Sequence, residues 1–343
     1  MKENRIKWID AAKGILIVLV VFDHVITTTL KFGSEYKLNY IIYSFHMPAF
    51  FVLSGLTLNI KKRWDVFFRE KLLRLIAPLP FFCLFYTVFR FGFLYFFNSA
   101  NDAFLFLKSL KTSLLDIILM TPDSPFSAYW FLPVLLCSEL ILYFLLKLDK
   151  KIVFPIMILF VIVNRFLFEK NIVFPFGLRE ALISIPFVYL GTYIKGYCQR
   201  LSKYGLLFLL SHLVLVFFGI ITGQPFNNMY CSDIGNVFFI LVIGSLGSLM
   251  LISFASSSAS IFTNSALNRL GKNSLYYFAF HYYFLNLWQS LFALITVDNQ
   301  ILKISLDIIG TVAVLILTSL FIGLISDCYK KYTLFFKERV FKL

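Results

Sequence analysis

The sequence predicts an all-α, polytopic membrane protein of about ten transmembrane helices, with both chain ends on the cytoplasmic side. Hydrophobic residues make up 59% of the 343 residues, and charged residues make up only 15%. The mean hydropathy is +0.82, and apolar runs recur from one end of the chain to the other. A spanning helix needs about 20 mostly apolar residues, and the chain contains many such runs.

Short polar segments separate the ten predicted spans. The spans cover approximately residues 8–29, 39–60, 75–97, 127–147, 152–169, 179–195, 204–222, 234–256, 271–294 and 302–326. With a cytoplasmic N-terminus, 23 of the 32 Lys and Arg residues fall in the predicted inner segments. This bias follows the positive-inside rule and predicts the N-in, C-in orientation. Because the cations lie between apolar runs, the net charge of +14 indicates membrane topology rather than nucleic-acid binding.

One transmembrane domain is expected to occupy residues 1–343, without an appended soluble domain. The first span is interpreted as a retained helix rather than a signal peptide, since polar groups lie within it and many spans follow. The largest predicted outer segments, about 98–126 and 223–233, are short or apolar. The five cysteines have no paired spacing, so they predict neither disulfides nor a metal site.

The first span contains four ionisable residues, each of which is costly to bury in a membrane. Lys13 and His24 are eleven residues apart, which places them within roughly 20° on one helical face and about 16 Å apart along the axis. Asp10 falls near the same stripe and can pair with Lys13 at i, i+3. Asp23 lies about 100° round the helix from His24. The alternative is that Lys13 extends to the inner interface while His24 hydrogen-bonds a neighbouring helix.

The second span and the segment after it add further candidates. His46 is predicted at a depth similar to that of His24, with a helix–helix hydrogen bond near Pro48 as the alternative role. The adjacent Ser54 and Gly55 indicate close helix packing. Six cations follow within residues 61–74. Arg69 and Arg74 are the candidates for binding the phosphates of a nucleotide-bearing donor, and anionic lipid or topology is the alternative.

Later spans contribute the remaining polar residues. Trp130 opens the fourth predicted span, as is typical of an interfacial belt, and Glu139 lies in the middle of that span. His281 lies in the ninth predicted span, about 14 Å from Lys272 along the helix axis. His212 has no polar neighbour in the surrounding apolar run except Ser211, and it is predicted to be structural.

Five stretches, each a weak signal alone, occur in a defined order between residue 5 and about residue 285. They are WIDAAKGILIVLVVFDH, FHMPAFFVLSGL, REKLLRLIAP, YWFLPVLL and LGKNSLYYFAFHYYF. In their order and spacing they resemble the membrane-bound acyltransferase family 3, which includes O-acetyltransferases of bacterial surface polysaccharides.

The resemblance implies an acyl-CoA donor on the cytoplasmic side and transfer of an acyl group, most often acetyl, to a hydroxyl of a glycan or glycolipid. It also implies that His24 is the catalytic histidine and that Lys13 is its basic partner. Many members of the family have arginine where Lys13 stands, so a bidentate phosphate contact is replaced here by a point charge. Some larger members carry an extracytoplasmic hydrolase-like domain. None is expected here, so transfer is expected within the membrane domain.

We expect His24 to act as a general base on the acceptor hydroxyl, because an ordinary histidine pKa near 6.5 suits proton transfer at neutral pH. Its orienting partner is expected on another helix, with His46 or Glu139 as candidates. A reaction through a covalent acyl-histidine intermediate is the alternative to direct attack.

The expected partners are acyl-CoA as donor substrate, a glycan or glycolipid acceptor and membrane lipid, with no bound cofactor or metal. A homo-oligomer is left open. The expected location is the cytoplasmic membrane. The alternative function is a transporter or exporter of a lipid-linked sugar, which would use the buried charges as a path.

Overall fold

The computed structural model describes residues 6–29, 37–97, 99–108, 127–225, 229, 235–259, 265–292 and 300–340. Within these ranges every regular element is a helix, which confirms the predicted all-α class. Helices α1 to α15 are Lys7–Thr29, Lys37–Tyr43, His46–Thr57, Trp64–Lys71, Leu79–Phe97, 100–108, Phe131–Leu145, Lys150–Glu169, Leu178–Ile194, Cys198–Leu201, Gly205–Ile221, Val237–Ser257, Ala266–Lys272, Ser274–Phe292 and Gln300–Val340. A π-helical segment, Leu72–Ile76, joins α4 to α5, and a 3-10 turn, Ser127–Trp130, precedes α7.

The chain is a membrane protein. In the part that the structure describes, six helical segments are long and apolar enough to cross a bilayer. They are Leu38–Thr57, Trp64–Phe96, Lys150–Glu169, Cys198–Ile221, Val237–Ser257 and Leu302–Phe336. Helix α7 is apolar but shorter, with 15 residues. The count of ten spans stays a prediction.

Two predicted spans differ in detail from the observed helices. The second is divided into α2 and α3 at Ser44 and Phe45. The last does not end near residue 326, because α15 is a single helix of 41 residues. The extra turns pack on the start of α5, where the Tyr332 hydroxyl donates to the Ala77 carbonyl at 2.7 Å. Of the predicted outer segments, 100–108 is helical, while 109–126 and most of 223–233 lie outside the described residues.

Helix α1 lies at the centre of the fold and contacts α3, α12, α13, α14 and α15. Its crossing with α13 brings the two backbones together. A methyl group at Gly14 would overlap the Leu267 carbonyl oxygen, and one at Gly271 would overlap the carbonyl oxygen of Asp10. The Asn268 side-chain amide also donates to the Lys7 carbonyl at 2.7 Å. Two glycines therefore fix how α1 sits against the segment that leads into α14.

A second close crossing joins α3 to α9. A methyl group at Gly55 would overlap the Val188 carbonyl oxygen, and one at Gly191 would overlap that of Val52. Backbones approach this closely only where both helices carry a small residue at the contact. This confirms close helix packing at Gly55, and it fixes α3 beside the cavity described below.

Candidate functional site

A cavity of about 290 Å³ lies between α1, α3, α7, α14 and the π-helical segment. Of the eleven candidate residues named from the sequence, eight line it. They are Lys13, His24, His46, Ser54, Arg74, Trp130, Glu139 and His281. These residues come from distant parts of the sequence, so the fold gathers them into one space.

Helix α1 forms one wall of the cavity along a single stripe. The stripe consists of Lys13, Ile17, Val20 and His24, at steps of four, three and four residues. This spacing keeps side chains on one face of an α-helix. The cation and the imidazole therefore share the cavity, about 16 Å apart along the axis, and apolar side chains lie between them.

The ring of His24 contacts two consecutive residues of α14. The Tyr282 hydroxyl lies 3.2 Å from Nε2 and 3.4 Å from Nδ1 of His24. The His281 ring stacks on that of His24, with 5.4 Å between the ring centroids and 19° between the planes. The neighbourhood of His24 is thus aromatic and polar at once.

The two other histidines of the cavity have a fixed proton position. His281 Nδ1 is 2.8 Å from the Tyr277 carbonyl oxygen, and His46 Nδ1 is 2.9 Å from that of Ile42. A carbonyl oxygen only accepts, so each Nδ1 carries hydrogen, and in the neutral ring each Nε2 is an acceptor. His281 is 1% exposed, and its Nε2 has no hydrogen-bond partner among the described residues.

The opposite part of the cavity is charged. Lys71 Nζ lies 2.8 Å from Glu139 Oε1, and both side chains are buried. Ser54 Oγ donates to the same carboxylate oxygen at 2.5 Å. Arg74 follows within the π-helical segment and is exposed, although it also lines the cavity. π-Helical turns inside α-helices occur frequently at functional sites.

Three candidate residues do not line the cavity. Asp10 and Asp23 are buried on α1 and do not line the cavity. Arg69 is exposed on α4. It is two residues before Lys71, so the helix turns it about 200° away from the cavity side. The cation of α4 that lines the cavity is Lys71.

His212 lies outside the cavity and is 1% exposed. Its Nδ1 is 3.2 Å from the Ile243 carbonyl oxygen, and its Nε2 is 3.2 Å from Ser44 Oγ. Both nitrogens therefore have partners inside the protein, which confirms the prediction that this histidine is structural.

Sequence reasoning missed Lys71, Tyr43 and Tyr282. All three line the cavity. Lys71 had a usable signal, because it stands three residues before Arg74. The tyrosines had none, since they belong to aromatic runs in which most side chains pack against other helices. Among the described residues, no cluster of three or more His, Cys, Asp or Glu side chains could hold a metal ion.

Comparison with known proteins agrees with these observations. The family model described as "Acyltransferase domain" matches residues 6–335. The chain is also 30% identical over 138 residues to the nodulation protein NolL of Mesorhizobium japonicum (strain LMG 29417 / CECT 9101 / MAFF 303099). That alignment covers 38% of this chain and 33% of the relative, so the chain matches about a third of the relative's length. No solved structure matches the chain.

Proposed function

Because the chain belongs to the membrane acyltransferase family that its motifs resemble, we propose that it transfers an acyl group from acyl-CoA to a hydroxyl of a cell-surface glycan or lipid-linked sugar. Acetyl is the proposed acyl group. One observation carries the proposal: Lys13 and His24 line a single cavity. A cation can hold a donor phosphate while an imidazole about 16 Å away meets the thioester.

The charged part of the cavity is suited to the donor. Glu139 offsets the charge of Lys71, so the exposed Arg74 is the proposed binder of a donor phosphate at this end. Arg74 is exposed, and its planar guanidinium can bind a phosphate through two hydrogen bonds. In the N-in orientation this end faces the cytoplasm, where acyl-CoA is available, and the protein belongs in the cytoplasmic membrane.

The size of the cavity limits what it can hold. Its volume of about 290 Å³ is at the lower edge of the roughly 300–1,000 Å³ typical of pockets for drug-sized ligands. It suits the thioester arm, a short acyl group and the reacting part of an acceptor. The nucleotide of the donor and the bulk of a glycan would stay outside.

In the proposed reaction His24 Nε2 or Nδ1 removes the proton of the acceptor hydroxyl. The hydroxyl oxygen then attacks the thioester carbonyl carbon and forms a tetrahedral intermediate. When the carbon–sulfur bond breaks, the leaving thiolate takes the proton from His24. A neutral imidazole is required at the start, because only the neutral ring has a nitrogen that can accept the proton.

The test uses isolated membranes that contain the wild-type protein or a variant, and radiolabelled acetyl-CoA. We expect His24→Ala to lower incorporation of label by about 10²–10⁴-fold, the usual contribution of a general base. His212→Asn is the matched control, since it alters a buried histidine outside the cavity. It should retain the activity per folded molecule.

Full incorporation by His24→Ala would refute the assignment of the base. Absence of incorporation by the wild-type protein, together with translocation of a lipid-linked sugar across the membrane, would favour the exporter instead.

A further inference from the structure

The hydroxyl of Tyr282 lies against the proposed base in an unusual position. It is within 3.4 Å of both nitrogens of His24, with 4.9 Å between the ring centroids and 48° between the planes. A hydrogen bond to one nitrogen alone would place the hydroxyl on that side of the ring. Here the hydroxyl lies beside both nitrogens, over the Nδ1–Cε1–Nε2 edge of the ring.

We propose that Tyr282 is a second catalytic residue, whose hydroxyl donates a hydrogen bond to the oxyanion of the tetrahedral intermediate. The inference rests on the proposed acyl transfer and adds a residue that neither the sequence motifs nor the comparisons assign. Attack on a thioester carbonyl places negative charge on its oxygen, and a donor aimed at that oxygen is usually a large part of catalysis.

The neighbouring side chains leave this role to Tyr282. His46 and His281 use their Nδ1 hydrogens on backbone carbonyls and, when neutral, present acceptors. Tyr43 lies on α2 with its ring edge-on to that of His46. Lys13 is about three turns away along α1. Among the described residues, the Tyr282 hydroxyl is a donor that lies against the ring of His24.

Proton transfer to His24 would release the Tyr282 hydrogen at the moment it is needed. Neutral His24 has one nitrogen with a lone pair, and Tyr282 donates to it at rest. An acceptor hydroxyl that gives its proton to this nitrogen takes over that position. The imidazolium then has two N–H donors and no acceptor, so it no longer receives the Tyr282 hydrogen. The Tyr282 O–H turns to the new oxyanion.

The proton balance of this cycle is closed. The acceptor proton moves to His24 as the carbon–oxygen bond forms. It moves on to the thiolate as the carbon–sulfur bond breaks. Tyr282 keeps its own proton throughout, and its hydrogen bond returns to the neutral His24 when the product leaves.

The experiment measures initial rates of label transfer from acetyl-CoA in isolated membranes, per folded protein, for Tyr282→Phe and Tyr283→Phe. Tyr283 is a matched control on the same helix, because its buried hydroxyl donates to the Phe82 carbonyl at 3.2 Å, away from the cavity. Loss of one oxyanion donor typically lowers kcat by about 10²–10³-fold. We expect that loss for Tyr282→Phe, with an unchanged KM for acetyl-CoA, and a kcat close to wild type for Tyr283→Phe.

A kcat near wild type for Tyr282→Phe, in preparations where His24→Ala is inactive, would overturn the role of Tyr282 and leave the proposed function intact. Activity of His24→Ala would overturn the proposed function itself. If Tyr282→Phe does not accumulate as folded protein, fluorotyrosines at position 282 keep the ring and vary the acidity of the phenol. The rate should then change with phenol acidity, and a constant rate would refute the proposal.

Discussion

Replacing Glu139 by alanine leaves the Lys71 ammonium without its carboxylate inside the protein. The side chains of Lys71 and Glu139 are only 11% and 3% exposed, and the ion pair spans 2.8 Å. Removing one partner of a buried pair typically costs about 3–5 kcal/mol, because the remaining charge is uncompensated. Total stabilities are about 5–15 kcal/mol, so Glu139→Ala should lose a large share of the folding free energy.

Thermal unfolding in detergent measures this loss. We expect Glu139→Ala to lower Tm by several degrees, since about 2–4 °C corresponds to 1 kcal/mol in domains of 150–250 residues. Glu70→Ala is the control, because Glu70 pairs with Lys62 at the surface with 49% and 32% exposure. Such pairs contribute about 0–1 kcal/mol.

The double variant Lys71→Met, Glu139→Leu removes both charges and should recover most of the lost stability. Its activity separates two roles of Lys71. If the double variant has both the Tm and the KM for acetyl-CoA of the wild-type protein, the ion pair only supports the fold. A Tm of Glu139→Ala equal to that of wild type would refute the reasoning, because the carboxylate would then not compensate a buried charge.

Two further predictions concern the donor end and the close crossing of α1. Arg74→Gln should raise the KM for acetyl-CoA several-fold, because Arg74 lines the cavity. Arg69→Gln should leave that KM unchanged, because Arg69 is exposed on α4 away from the cavity. An equal rise of the KM in both variants would contradict a specific contact of Arg74 with the donor and would indicate an effect of general surface charge. Gly271→Ala should destabilise the protein by about 1–3 kcal/mol, the usual cost of an overpacked contact, because its methyl group would overlap the Asp10 carbonyl oxygen. A Tm equal to that of wild type would contradict that overlap.

The parts of the site that follow helical periodicity were predictable from the sequence. Lys13 and His24 share a face because eleven residues nearly complete three turns, and both line one cavity. The division of the second predicted span at Ser44 and Phe45 was not predictable. It occurs within an apolar run, where local preferences for helix are continuous and tertiary packing decides where the backbone turns.

Contacts between helices that are far apart in sequence could not be predicted from the sequence. Tyr282 is 258 residues from His24, and Glu139 is 68 residues from Lys71. The candidate orienters of His24 were His46 and Glu139, yet Glu139 accepts hydrogen bonds from Lys71 and Ser54. A single sequence places a residue on a helical face but does not give the rotation of one helix against another, and that rotation selects the partner.

The crossing at Gly14 and Gly271 fixes how α1 sits against the segment that leads into the second half of the site. His24 stands ten residues after Gly14, and His281 stands ten residues after Gly271. The first interval is a rise of about 15 Å along α1, the second passes the junction of α13 and α14 at Asn273, and the two imidazoles stack with 5.4 Å between their centroids. Any side chain at either glycine must separate the backbones, so it would shift the His281 and Tyr282 pair relative to His24. Small misplacements of catalytic groups cost rate steeply. Close backbone contact at the crossing is therefore a requirement of the proposed chemistry as well as of the fold.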